Sequence, residues 1–320
     1  MLTLLVATPA MSINAGEAAA KQAWLAKQAT PAYGPPSTGW VAQTAAPNVA
    51  SAPPPVAVGW GETPIGGFVA APLDYFRVDL LTPKGPRRDQ GSLVDVGEPC
   101  DFSRPLVPDT QWSNARVGSW ACTEGGWDSP KLRPTTETFL VVEGAGSVTD
   151  ADGMIHPFGP NDVVVLPKNW NGRWDVTQGI HKLWVVHDHP EVNNPADGVV
   201  RAVVSPVWSC FAPDQMPAGI LGSSPGAPVS AGTPVSAGSI VYDLGPTKVG
   251  FWSCSPGSFE VTERTTAEIF WVIDGVFFLT NSDTGQARRC SSGDTVVLPK
   301  GWAGHWDVIE PVRKVWVEVQ

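Results

Sequence analysis

The chain repeats itself, and that constrains its fold more than any other feature. Displaced by 132 residues, Asp162–Val185 falls on Asp294–Val317 with 14 identities in 24 positions. Val164-Val-Leu-Pro-Lys168 meets Val296-Val-Leu-Pro-Lys300. Trp170, Gly172, Trp174, Lys182 and Trp184 meet Trp302, Gly304, Trp306, Lys314 and Trp316. Upstream, Gly118, Trp120 and Cys122 meet Gly250, Trp252 and Cys254. At an offset of 131, Glu137, Phe139 and Gly144 meet Glu268, Phe270 and Gly275. A whole domain is therefore present twice. Each copy reads as short apolar runs closed by Gly, Asp and Pro turns with no helical periodicity, which predicts two antiparallel β-barrels.

Composition agrees with this. Of 320 residues, 33 are Gly and 32 are Pro, which suits a turn-rich β protein. At 42% hydrophobic the chain can bury two cores, and no apolar run is long enough for a membrane-spanning helix. Only 16% of residues are charged and they sum to −10, which disfavours nucleic acid and anionic membranes as partners. Five widely spaced Cys with no C-x-x-C argue against a zinc ribbon or a redox pair, and Cys122 and Cys254 read as buried core thiols. These features favour a soluble protein of the cytoplasm or an organelle lumen. Residues 1–72 are Ala/Pro-rich and almost uncharged, and read as a low-complexity extension able to drape over a protein partner. The expected division is extension 1–72, first barrel 73–190, linker 191–198 and second barrel 199–320, with a low-complexity loop at 213–238.

The order Glu268, Gly275, Gly293-Asp294, Val296–Pro299, Gly301-Trp302 and Trp306 resembles the cupin superfamily. Within it, the pattern resembles the branch named for the (S)-ureidoglycine aminohydrolase cupin domain. Glu137, Gly144, Asp162, Pro167, Trp170 and Trp174 give the same order in the first copy. The resemblance implies a double-stranded β-helix, or jelly-roll, barrel per copy and a bicupin overall. It also implies a divalent Mn, Fe or Zn held by two His and a Glu from one motif and a third His from another. This chain departs from that pattern at every His. The two first-motif His positions hold Glu263 and Thr265 in the second copy and Leu132 and Pro134 in the first, and the last His position holds Gly304 and Gly172. An irregular metal site in the second barrel would have to use Glu263, Glu268 and His305, although strand alternation points His305 outward. His187-Asp188-His189 lies outside the motif positions and reads as a surface strand end.

With the imidazoles gone, alternation aims Trp174 and Trp306 into their barrels. Glu263, Thr265, Glu268, Phe270 and Trp306 in the second copy, and Glu137, Phe139 and Trp174 in the first, are the candidate ligand-binding residues. They describe a mostly apolar pocket with a few polar anchors, suited either to a small molecule or to core filling. The expectation is a metal-free bicupin without catalytic residues, acting as a small-molecule-binding, scaffold or regulatory protein, alone or as a subunit of a larger complex. The alternative is a metal-dependent aminohydrolase working through the second barrel.

Overall fold

The computed structural model describes residues 67–107, 114–190, 194–207 and 229–320. Most of the expected extension and of the low-complexity loop, and with them the partner-binding role given to the extension, lie outside the described residues.

Nineteen strands form two sheets, and the described residues contain 3-10 turns but no α-helix. They run β1 (Val69–Ala71), β2 (Thr82–Pro86), β3 (Leu93–Val96), β4 (Cys100–Val107), β5 (Ala115–Cys122), β6 (Gly125–Ser129), β7 (Thr136–Asp150), β8 (Ile155–Phe158), β9 (Asp162–Leu166) and β10 (Gly172–His187). There follow β11 (Val203–Pro206), β12 (Val229–Ala231), β13 (Ser236–Leu244), β14 (Thr247–Cys254), β15 (Gly257–Val261), β16 (Ala267–Asn281), β17 (Ala287–Ser291), β18 (Thr295–Leu298) and β19 (Gly304–Val319). The first barrel has strand order β11-β9-β7-β10-β5-β4-β2 and the second β1-β18-β16-β19-β14-β13, all pairs antiparallel. The two expected barrels are therefore present.

Two long strands carry each barrel. β7 with β10, and β16 with β19, pair over almost their whole length, with register shifts midway between Val176 and Lys182 and between Val272 and Phe277. Such bulges let one strand turn a corner and contribute to both faces of a barrel. Glycine is required at the corner. Gly144 and Gly275 have φ of +87° and +94°, and a Cβ on them would lie 2.1 Å from the Gly179 carbonyl oxygen or 2.2 Å from that of Pro311.

The barrels exchange strands. β1 precedes the first barrel but pairs with β18 of the second, and β11 precedes the second but pairs with β9 of the first. The sequence division is corrected accordingly. The extension expected at 1–72 gives up its last residues to a sheet strand whose Val69, Ala70 and Ala71 are all buried. The range 199–320 contains a strand of the first barrel, and the loop expected at 213–238 gives up β12 and the start of β13. The reason is pairing: these short runs complete sheet edges that would otherwise expose unpaired backbone.

The outer faces of the two barrels meet in one core. Val117, Leu183 and Val185 pack in one cluster with Val249, Val315 and Val317, under Val69 and Phe76. The ends of β10 and β19 are thus covered on both faces, one by the neighbouring barrel and one by their own. This overturns the reading of His187 and His189 as a surface strand end. Both are buried, His187 Nδ1 lying 2.8 Å from Thr247 Oγ1 of the other barrel and His189 Nε2 2.9 Å from Thr136 Oγ1.

Candidate functional site

On the β19 end, Val315, Val317 and Val319 face the other barrel, so alternation turns Lys314, Trp316 and Glu318 into their own. There Lys314 meets Glu268, the second residue of β16. Lys314 Nζ donates to Glu268 Oε1 at 2.6 Å, and Arg264 Nη1 lies 2.8 Å from Oε2. Arg264 sits on the loop before β16, held by backbone hydrogen bonds from Arg264 N to the Trp302 carbonyl and from Gly301 N to its own. The ammonium is caged by Phe270, Trp306 and Trp252, whose ring centroids are 4.1, 4.7 and 4.8 Å from Nζ.

The first barrel builds the same cluster. Lys182 Nζ donates to Glu137 Oε1 at 2.8 Å, and Arg133 Nη2 lies 2.7 Å from Oε2. Phe139, Trp120 and Trp174 stand 3.9, 4.6 and 4.7 Å from Nζ. Arg133 N reaches the Trp170 carbonyl as Arg264 N reaches that of Trp302.

Both pairs are buried ion pairs. Burial alone would raise the Glu137 and Glu268 pKa values, but the adjacent Lys and Arg charges outweigh it and hold both carboxyls below the usual range. Burial pushes Lys182 and Lys314 below the ordinary lysine value, and the carboxylates oppose it. Both carboxyls are thereby ionised at neutral pH.

Each cluster floors a cavity. In the second barrel about 360 Å³ is enclosed by Trp252, Phe259, Trp306 and Trp316 above Arg264, Glu268, Lys314 and Glu318. In the first, about 250 Å³ is enclosed by Trp120, Trp127, Trp174 and Trp184 above Arg87, Arg133, Glu137 and Lys182.

The sequence-derived candidates divide cleanly. Glu268, Phe270 and Trp306 converge on Lys314, and Glu137, Phe139 and Trp174 on Lys182. Glu263 and Thr265 are exposed on the loop before β16 and line neither cavity. They were placed by the family spacing, but β16 begins only at Ala267. Arg264, which lies between them, is part of the cluster. His305 points away from the cavity, with Nε2 3.1 Å from Asp307 Oδ1 and 3.4 Å from Ser230 Oγ. Sequence reasoning missed both lysines and both arginines. The signal for the lysines was a matched charge at equivalent positions of the repeat.

A divalent metal does not fit this donor set. Glu268 spends its two oxygens on two cations, and the Lys314 ammonium stands where a metal ion would need to approach. Nor is there room for an imidazole at the last motif position, because a Cβ on Gly304 would lie 2.1 Å from the Trp302 ring. Gly172 is closed in the same way, 2.1 Å from the Thr149 carbonyl oxygen and 2.8 Å from the Trp170 ring. Among the described residues no three His, Cys, Asp or Glu side chains converge. The repeat cysteines are buried, and burial pushes the Cys122 thiol up and that of Cys254 up to about 12, which leaves both un-ionised at neutral pH.

Two β-barrels that exchange strands and carry clusters at matched positions have the fold of a tandem cupin. Residues 111–184 and 241–316 match the EutQ-like cupin domain. No curated protein matches the chain. Among solved structures it is similar to a protein of unknown function from Pseudomonas syringae pv. tomato, at 16% identity and a TM-score of 0.50, covering 68% of this chain and 86% of that one. It is also similar to a Pseudomonas aeruginosa protein described as glyoxylate-induced, at 15% identity and a TM-score of 0.53, covering 79% and 89%. At these identities the likeness is one of fold. No helix among the described residues is long and apolar enough to cross a membrane.

Proposed function

We propose that this bicupin binds small molecules in its barrels without a metal, in a scaffold or regulatory role. One observation carries the reading. At the centre of each barrel a lysine ammonium satisfies the motif glutamate, and beneath the Trp walls a cavity is left open instead of being filled. A cavity of a few hundred Å³ with aromatic walls and a few convergent polar groups is the general form of a small-molecule site. The aminohydrolase alternative would need Glu268 released from Lys314 and Arg264, and His305 turned through the strand to the other face.

The test joins elemental analysis with ligand titration. Full-length protein incubated with Mn, Fe or Zn and then dialysed should retain far less than one metal per chain. Its Trp emission should respond saturably to small organic ligands, because each cavity is walled by Trp. Stoichiometric metal that is lost on Glu268→Gln would overturn the reading in favour of the metalloenzyme.

A further inference from the structure

The two cavities are not electrostatic duplicates. In the second barrel two cations, Lys314 and Arg264, face two carboxylates. Glu318 lies beside Glu268 across the β16–β19 ladder, and Arg264 Nη2 reaches it at 3.2 Å. In the first barrel the position of Glu318 is held by Val186, paired with Glu137 in the same register. Arg133 and Lys182 therefore share one carboxylate. A third cation, Arg87, also lines this cavity. It stands 5.2 Å from the Trp127 ring centroid and 3.2 Å from Asp101, which in addition accepts from Trp120 Nε1 at 2.7 Å and from Gln90 Nε2. Counting Asp101, three cations face two carboxylates in the first barrel, where the second has two facing two. One positive charge is left over.

A second difference points the same way. Trp127 takes the place of Phe259. It is 1% exposed, lines the cavity, and its indole N–H has no hydrogen-bond partner among the described residues. A buried donor without an acceptor is costly, and a ligand oxygen would satisfy it. The first barrel thus offers a surplus cation and an unpartnered indole N–H between aromatic walls; the second barrel has no surplus cation and Phe259 in place of the indole, although Arg264 Nε there is also without a partner among the described residues.

Resting on the small-molecule reading above, we propose that the first barrel is a selective site for a small organic monocarboxylate. Its charge would be met by Arg133 and the Trp127 N–H and its apolar body held between Trp120, Trp174 and Trp184. The second barrel takes neutral ligands.

The experiment uses the full chain and a panel of monocarboxylates from acetate to indole-3-carboxylate, each paired with its neutral amide. Binding is read by calorimetry and Trp emission. The expected result is one carboxylate site per chain, with the matched amide weaker there by about tenfold or more, as for a charge-assisted hydrogen bond. Val186→Glu, which installs the carboxylate of the second barrel, should remove that preference. The reciprocal Glu318→Val should raise carboxylate stoichiometry towards two, a gain that misfolding cannot mimic. Acids and amides that bind equally, or a preference unchanged in both variants, would overturn the monocarboxylate assignment and leave small-molecule binding standing. No binding by any member of either series would overturn both.

Discussion

Replacing Glu268 by Gln removes one charge from a sealed ion pair and changes almost nothing in shape. Lys314 is 5% exposed and its ammonium is 2.6 Å from the carboxylate, so the variant leaves a cation caged by three rings with only a neutral acceptor. Removing one partner of a buried pair typically costs about 3–5 kcal/mol. Here there is a ceiling, because the lysine can surrender its proton. From an unfolded value of about 10.4, neutralising it costs about 4.6 kcal/mol at pH 7 but only about 1.9 at pH 9, at 1.36 kcal/mol per unit. Cation–π contacts with Phe270, Trp306 and Trp252 return part of the loss. The expectation is a loss of about 3 kcal/mol at pH 7 and no more than about 2 at pH 9. The sign follows from proton counting: between pH 7 and pH 9 the caged lysine of the folded variant gives up a proton that the unfolded chain keeps up to about pH 10, so stability rises with pH from there. Urea unfolding of wild type and variant at both pH values, followed by Trp emission, measures it. A loss below about 1 kcal/mol at pH 7, or one identical at pH 9, would refute a buried ionised pair. Glu137→Gln in the first barrel should cost more, because Arg133 lacks the second carboxylate that Glu318 gives Arg264.

Two further outcomes are expected. His181 is buried against Ser119, with Nε2 2.8 Å from its Oγ, and burial pushes its pKa down to about 4. The unfolded chain therefore binds a proton between about pH 6.5 and pH 4 that the folded chain does not, and stability falls as pH drops through that window. Between pH 7 and pH 5 the wild type should lose about 2 kcal/mol more than His181→Gln, read from urea midpoints. Gly275→Ala would place a Cβ 2.2 Å from the Pro311 carbonyl oxygen at a φ of +94°, and should cost more than about 2 kcal/mol in thermal unfolding. Gly285→Ala, at φ +66° with nothing within 4 Å, should cost about 1 kcal/mol. Equal losses at the two positions would show that the corner tolerates a side chain.

Much of this was legible in the sequence, for local reasons. The repeat, the turn residues and period-two alternation locate the long strands and aim Trp174 and Trp306 inward. What stayed hidden depends on contacts between the copies. Lys182 and Lys314 sit in strands whose two faces are both buried, one by the barrel interior and one by the other barrel, so alternation alone could not say which face takes the charge. His187 looked exposed because it packs on Thr247 of the second copy, and His189 because its partner Thr136 is distant in the sequence. Glu263 and Thr265 were misplaced by family spacing, because the loop before β16 keeps them out of the barrel and sends Arg264 in their stead. β1 and β11 are too short for periodicity to show, and nothing local names their distant partners.

The exchange of β1 and β11 has a consequence for how the molecule comes to exist at all. Each barrel lacks a strand until the other half of the chain supplies it. Two separate single-copy chains would have to find one another at a rate set by their concentration, and would part on dilution. Joining them makes assembly a first-order event whose partner is always present. The connection near residues 194–202 is therefore a kinetic device as well as a tether. A chain cut there would reacquire a dissociation constant that the intact protein never expresses.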